Sequence, residues 1–213
     1  MTRTFYTSCK QLPAAEYKKA VSLLPNRMQA RMAKYRRWQD AHAYLYGKLL
    51  LKHGMHLLGF NIPLEQMNVT KYGKPYFPDS SFSFNISHSE EYIVCVISSD
   101  EKEHLGIDIE KIKPLEWKIF DSVWSPQEKK KLDGIMKFYT YWTRKEAIIK
   151  ADGRGMQIPL NIIDTTGLTV QLDGDNYYLS KVNIDQEYIM HVASLNRIEK
   201  TDPINCLLIA PDI

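Results

Sequence analysis

The stretch EYIVCVIS at residues 91–98 recurs as EYIMHVAS at 187–194, identical at five of eight positions with an offset of 96. At nearly the same offset, 97, YLYGKLLLK (44–52) lies over YWTRKEAII (141–149), sharing a tyrosine and a lysine. Two matches at a common spacing predict a duplicated unit of about 100 residues, helix first and strands after. A chain of 213 residues, 44% of them apolar, can bury a full core as one large domain or as two such units. The halves of a duplicated fold usually pack together, and their interface is a natural place for a site.

Charge is divided unevenly between the two stretches. Residues 1–75 hold 13 Lys and Arg against 3 Asp and Glu, a balance of +10, whereas residues 76–213 hold 15 against 22, a balance of −7. A basic front suits an anion and an acidic back suits a cation. The three cysteines, Cys9, Cys95 and Cys206, are scattered and show no ligand spacing. That excludes a disulfide framework and predicts a reducing, cytoplasmic setting. The N-terminal MTRTFYTSCK lacks the apolar core of a signal peptide, and no apolar run approaches membrane-spanning length, so no membrane role is expected.

The first 60 residues read as helical, with Pro13 opening one helix and QDAHAYLYGKLLLKHGMHLLG forming another up to Gly59. SFSFNIS, YIVCVIS and HLGIDIE follow as strands. SPQEKKKL carries a capping-box pattern, with Ser125 as N-cap, Pro126 at the first helical position and Glu128 two residues on. KFYTYWTRKEAIIKADG reads as a helix stopped by Gly153. The tail alternates strand-like runs (GLTVQL, NYYLSKV, EYIMHVAS, NCLLIA) with turn residues.

In HLGIDIEK, Asp108 and Glu110 alternate with isoleucines, so both carboxylates emerge on one face of a strand. Two such charges repel unless something positive lies between them. Nearby Lys111 and Lys113 could serve as ordinary surface partners. A hard divalent cation is the alternative, and oxygen ligands without cysteine or histidine point to Mg²⁺ rather than zinc. Phe138, Trp142, Glu146 and Lys150 stand four apart and form one helical row, an apolar line ending in a carboxylate and an ammonium. An i,i+4 surface pair would explain Glu146 and Lys150, but not why they continue the aromatic line. In FNISHS, Asn85, Ser87 and Ser89 alternate, with His88 facing the other way. The basic residues Arg27, Arg31, Lys34, Arg36, Arg37, Lys71 and Lys74 do not extend into a groove. A compact, phosphorylated small molecule therefore fits better than nucleic acid.

FNISHSEEYIVCVIS, LGIDIEKIKP and FYTYWTRKEAIIKADGRGM stand in the order and spacing of the three motifs of the Sfp-type 4′-phosphopantetheinyl transferases. KYGKPYFP and PNRMQARMAKYRRWQDAH resemble earlier segments of that family, so the resemblance runs from about residue 25 to 160. It implies an α/β fold of the α+β type, with two pseudo-twofold-related halves, each a helix on a mostly antiparallel sheet. Residues 1–105 would present the basic coenzyme A-binding face and residues 106–213 the Mg²⁺-binding carboxylates, with the active site between them. The implied enzyme is a monomer that transfers phosphopantetheine from coenzyme A to a serine of an apo acyl or peptidyl carrier protein, releasing adenosine 3′,5′-bisphosphate. By position, Asp108, Glu110 and Glu146 would hold Mg²⁺, with Asp108, Glu146 and Lys150 as the catalytic set and Glu146 as base. Ser87, His88, Asp108, Lys145 and Lys150 would line the coenzyme A site, Lys74 would lie near the adenine end, and Arg27 and Arg31 near the 3′-phosphate. The family usually has an arginine after the DAH-like stretch, where this chain has Ala43. Arg36, Arg37 or Lys48 is then the replacement, unless that phosphate is held less tightly. The rival reading is a Mg²⁺-dependent nuclease or phosphoesterase, whose Glu and Lys usually stand two apart on a strand rather than four apart on a helix.

Overall fold

The same run of elements occurs twice in the chain. The computed structural model describes residues 1–78, 80–199 and 201–208. In the first half, strand β1 (Thr2–Ser8) precedes two short helices, α1 (Ala14–Ser22) and α2 (Asn26–Met32), and the long helix α3 (Trp38–Leu57). A small ribbon of β2 (Asn68–Val69) and β3 (Pro75–Tyr76) leads to the hairpin of β4 (Ser83–Ser89) and β5 (Tyr92–Ser98). The second half runs from β6 (Gly106–Lys111) through the short helix α4 (Pro126–Lys131) to the long helix α5 (Ile135–Asp152). It ends in β7 (Thr169–Leu172), β8 (Asp175–Val182) and β9 (Tyr188–Ser194).

In both sheets the last strand of the repeat lies inside: β5 between β1 and β4, β9 between β6 and β8, with these four pairs antiparallel. Registers agree as well. Cys95 faces Phe5 and His191 faces Asp108, and Cys95 and His191 occupy the same place in the repeated octapeptide. The fold is therefore the α+β duplication that the repeat predicts.

Alternation along β5 explains the layering. Ile93, Cys95 and Ile97 turn to α3 and join the first core with Phe5, Leu45 and Leu50. Val94 and Val96 turn the other way and pack on Ile107, Ile109, Met190 and Val192 of the second sheet. The sheets thus meet through their inner faces, with α3 outside one and α5 outside the other. α4 carries both bonds of its capping box, Ser125 to the Glu128 amide and Glu128 back to the Ser125 amide. α5 stops at Gly153, whose φ of +93° is a left-handed conformation that suits glycine.

Two expectations need correction. The opening stretch is not helical: TRTFYTS is a seven-residue strand, and its Thr, Phe and Tyr side chains suit a sheet buried on both faces. The boundary after residue 105 also fails for the tail. A tenth strand, β10 (Ile204–Asn205), pairs in parallel with β1, and Cys206 and Leu208 enter the first core. The strand expected at NCLLIA is therefore shorter and begins one residue earlier, and residues 209–210 of it lie outside the described residues.

Candidate active site

Gly106 makes the close approach of α5 to β6 possible. A Cβ there would fall 1.9 Å from the Ala147 carbonyl oxygen and 2.4 Å from the Ala151 amide nitrogen, so no other residue fits without moving the helix. With α5 this close, Lys150 reaches Asp108 across the gap, Nζ to Oδ1 at 2.6 Å. The other half supplies the second contact. Edge strand β4 meets β6 through side chains, in place of a backbone ladder. Asn85 Oδ1 accepts from the Ile107 amide, Ser87 Oγ donates to Asp108 Oδ1 at 3.0 Å, and Ser89 Oγ donates to Glu110 Oε2 at 3.1 Å. The alternation in FNISHS thus forms the seam between the halves, and it ends at both carboxylates.

Asp108 is 4% exposed. Its Oδ1 is used twice, while its Oδ2 is buried with no hydrogen-bond partner among the described residues. Such an orphaned carboxylate oxygen is costly unless a ligand meets it. Burial pushes Asp108 above the usual carboxylate range against the pull of Lys150 and Ser87. Burial and then Asp108 push Glu110 up to about 6, and the same two causes raise Glu146. Each carboxylate is thus raised by burial, and Asp108 adds to the shift of the other two. The predicted row on α5 is real: Trp142 stacks on Phe138 at 5° between ring planes, and Trp142, Glu146 and Lys150 line a cavity of about 410 Å³ with Asp108 and Glu110. Ile86, Ser87 and His88 of β4 form its other wall. His88 presents an exposed edge. Packing around its ring and the Lys150 ammonium hold its pKa low, against Asp40 and Asp108.

Three carboxylates and a lysine thus line the cavity on one side, with serine and histidine on the other. Comparisons with known proteins identify the family. Residues 104–194 match the model of the 4′-phosphopantetheinyl transferase superfamily, and residues 12–101 match that of the 4′-phosphopantetheinyl transferase N-terminal region. The chain belongs to this superfamily. It is 39% identical over 142 residues to the 4′-phosphopantetheinyl transferase gsp of Aneurinibacillus migulanus, a match spanning 62% of this chain and 57% of that protein. It is 28% identical over 206 residues to the 4′-phosphopantetheinyl transferase Sfp of Bacillus subtilis strain 168, spanning 87% of this chain and 88% of the relative.

Of the residues expected at the transferase site, Asp108, Glu110, Glu146, Lys150, Ser87 and His88 come together in the cavity. Lys145 does not. It follows the helix to the opposite side and is fully buried, its ammonium paired with Glu128 Oε2 at 2.7 Å and bonded to the carbonyls of Leu160 and Ile163. Glu128 is equally saturated, since its Oε1 accepts from the Thr165 amide and hydroxyl at 2.9 and 2.6 Å. This pair braces α4, α5 and the 160–165 segment, and neither member has an atom to spare for a ligand. Lys74 also stands apart. Its ammonium bonds the carbonyls of Ala151 and Leu105, capping the end of α5, and burial lowers it to about 8. It lines a second depression, of about 460 Å³, together with Phe77 and Asp152. Arg27 is spent on the carbonyls of Leu64 and Met67, whereas Arg31 lies over the Tyr44 ring. Sequence reasoning missed Gly106, for which a glycine opening a strand was the available signal.

Proposed function

We propose that this enzyme moves the 4′-phosphopantetheine arm of coenzyme A onto a serine hydroxyl of an apo acyl or peptidyl carrier protein in a Mg²⁺-dependent reaction, releasing adenosine 3′,5′-bisphosphate. The observation that carries this reading is the orphaned Asp108 Oδ2, buried beside Glu110 and Glu146 in a cavity walled by both halves. Mg²⁺ commonly takes carboxylate oxygens and completes its shell with water and substrate phosphate. Asp108, Glu110 and Glu146 would hold it, and it would neutralise charge on the phosphoryl oxygens.

The chain's own groups do the rest. Lys150 lies against Asp108 and faces the same cavity, so its ammonium balances negative charge on the pyrophosphate. Ser87 and His88 line the wall on which the phosphates rest. Glu146 has no hydrogen-bond or ion-pair partner among the described residues, and burial raises its proton affinity, so it suits a general base. It takes the proton of the incoming serine as that oxygen bonds to the phosphorus bearing pantetheine. The bond from this phosphorus to the bridging oxygen breaks, and the nucleotide leaves with the electron pair. The nucleotide end extends toward the basic first half, past Arg31 and the depression beside Lys74. Three free cysteines and the lack, among the described residues, of a helix able to cross a membrane suit a cytoplasmic setting, and we take the enzyme to act as a monomer.

Intact-mass measurement of an apo carrier protein incubated with this protein, coenzyme A and Mg²⁺ tests the proposal. A gain of one phosphopantetheine, abolished by EDTA and by Glu146→Gln, is expected. No gain on fatty-acid, polyketide and nonribosomal-peptide carriers alike would overturn it.

A further inference from the structure

Among the described residues two buried side-chain oxygens have no hydrogen-bond partner. One is Asp108 Oδ2 in the carboxylate cavity, and the other is the Ser83 hydroxyl. Ser83 opens β4 and stands on the same face as Asn85, Ser87 and Ser89. Those three spend their side chains on β6, so the seam between the halves is a row of polar groups whose first member alone is unsatisfied. A buried hydroxyl without a partner is costly, and it marks a place where a ligand can supply one. Ser83 lines the depression of about 460 Å³ beside Lys74. It lies at the far end of β4 from His88, about 16 Å away along the strand.

The groups around that hydroxyl say what the ligand must carry. The Lys74 ammonium has three N–H groups and gives two to the Ala151 and Leu105 carbonyls, so one remains. The carboxylates beside it are spent. Asp152 holds Arg154 with both oxygens, and Glu103 accepts from the Leu195 and Asn196 amides and from the Asn196 side chain. Glu101 lies exposed at the rim. The apolar part of the wall is Phe77, Phe82 and Phe84, a buried group with ring centroids 5.4 to 6.2 Å apart. A spare charged N–H, a free hydroxyl and an aromatic wall together select an anion with a flat apolar body.

We infer that this depression is a second ligand site, for a small aromatic monocarboxylate whose carboxylate meets Lys74 and Ser83 and whose ring lies against the phenylalanines. The free charge it offers is opposite in sign to that of the cavity around Asp108, Glu110 and Glu146. Burial lowers Lys74 to about 8, so its ammonium is short of solvation that a bound anion restores. The site is also joined to α5. Lys74 holds the Ala151 carbonyl, one residue beyond Lys150, so a carboxylate that keeps the ammonium charged and in place keeps the end of that helix capped. The inference is independent of the proposed transfer, and the ligand lies beside the path of the nucleotide rather than on it.

Calorimetric titration of the full-length protein with indole-3-acetate, and with tryptamine as the same ring bearing the opposite charge, tests the site. Saturable binding of one indole-3-acetate and none of tryptamine is expected. Ser83→Ala removes a hydroxyl that the fold does not use and is expected to weaken indole-3-acetate about fivefold, and Lys74→Met at least about tenfold. The Ser83 variant remains informative if Lys74→Met fails to fold. A titration repeated on protein saturated with coenzyme A separates this site from that of the nucleotide. Unchanged affinity for indole-3-acetate is expected there, whereas competition would assign the depression to coenzyme A and overturn the inference. Equal binding of the two probes, no saturable binding of indole-3-acetate, or unchanged affinity in the folded variants would overturn it as well.

Discussion

The two halves share strand order, register and a long helix, yet only one carries the carboxylates of the cavity. Where β6 places Asp108 opposite His191, β1 places Phe5 opposite Cys95, and Phe5 is completely buried under α3. By the helical alignment, Leu49 and His53 stand where Glu146 and Lys150 stand. A phenylalanine and a leucine therefore satisfy the architecture at places where the second half holds carboxylates. The acids of the cavity are not there for the fold. Burial holds them at raised pKa, a pattern that clusters at functional sites.

The largest expected effect of breaking this asymmetry is on rate. Glu146→Gln keeps the shape of the helix and removes the proton acceptor, so transfer falls about 10²- to 10⁴-fold while coenzyme A affinity changes little. Single-turnover mass measurement checks this. The buried pair behind the helix responds in stability instead. Glu128→Ala leaves the Lys145 ammonium buried without its carboxylate and costs about 3–5 kcal/mol in denaturant unfolding. Gly106→Ala, which drives a methyl group into the Ala147 carbonyl, costs about 3 kcal/mol and lowers activity as α5 lifts from β6. The smallest expected effect belongs to Glu110. Its pKa in the folded protein, about 6, lies above the ordinary 4.5, so the native state binds the extra proton between these values. In EDTA, stability therefore falls as pH rises from 4.5 to 6. Glu110→Gln removes that slope and gains less than about 1 kcal/mol at pH 7. In the proposed function Mg²⁺ displaces the same proton, so its calorimetric affinity is expected to weaken as pH drops below 6.

Much of the site was legible because period-two and period-four spacing determine facing directly. Asp108 and Glu110 had to share a face, and Trp142, Glu146 and Lys150 had to share a row. Lys145 shows where such reasoning stops. It is one residue from Glu146, hence about 100° around the helix, and only the tertiary position of Glu128 decides that it is scaffold rather than site. β1 was hidden because a short strand buried on both faces shows no clean alternation. β10 was hidden because it has two residues and owes its existence to a partner some 200 positions away. Gly106 looked like an ordinary strand start, and the glycine itself was the single mark that the close approach of helix to strand left in the sequence.

The parallel pairing of β10 with β1 has a mechanical consequence. The chain crosses from the first half to the second after residue 105 and returns with residues 204–205, so the halves are tethered at two points, like pages bound along opposite margins. They cannot come apart unless β10 peels away from β1 and the shared core of Val94, Val96, Ile107 and Val192 opens as well.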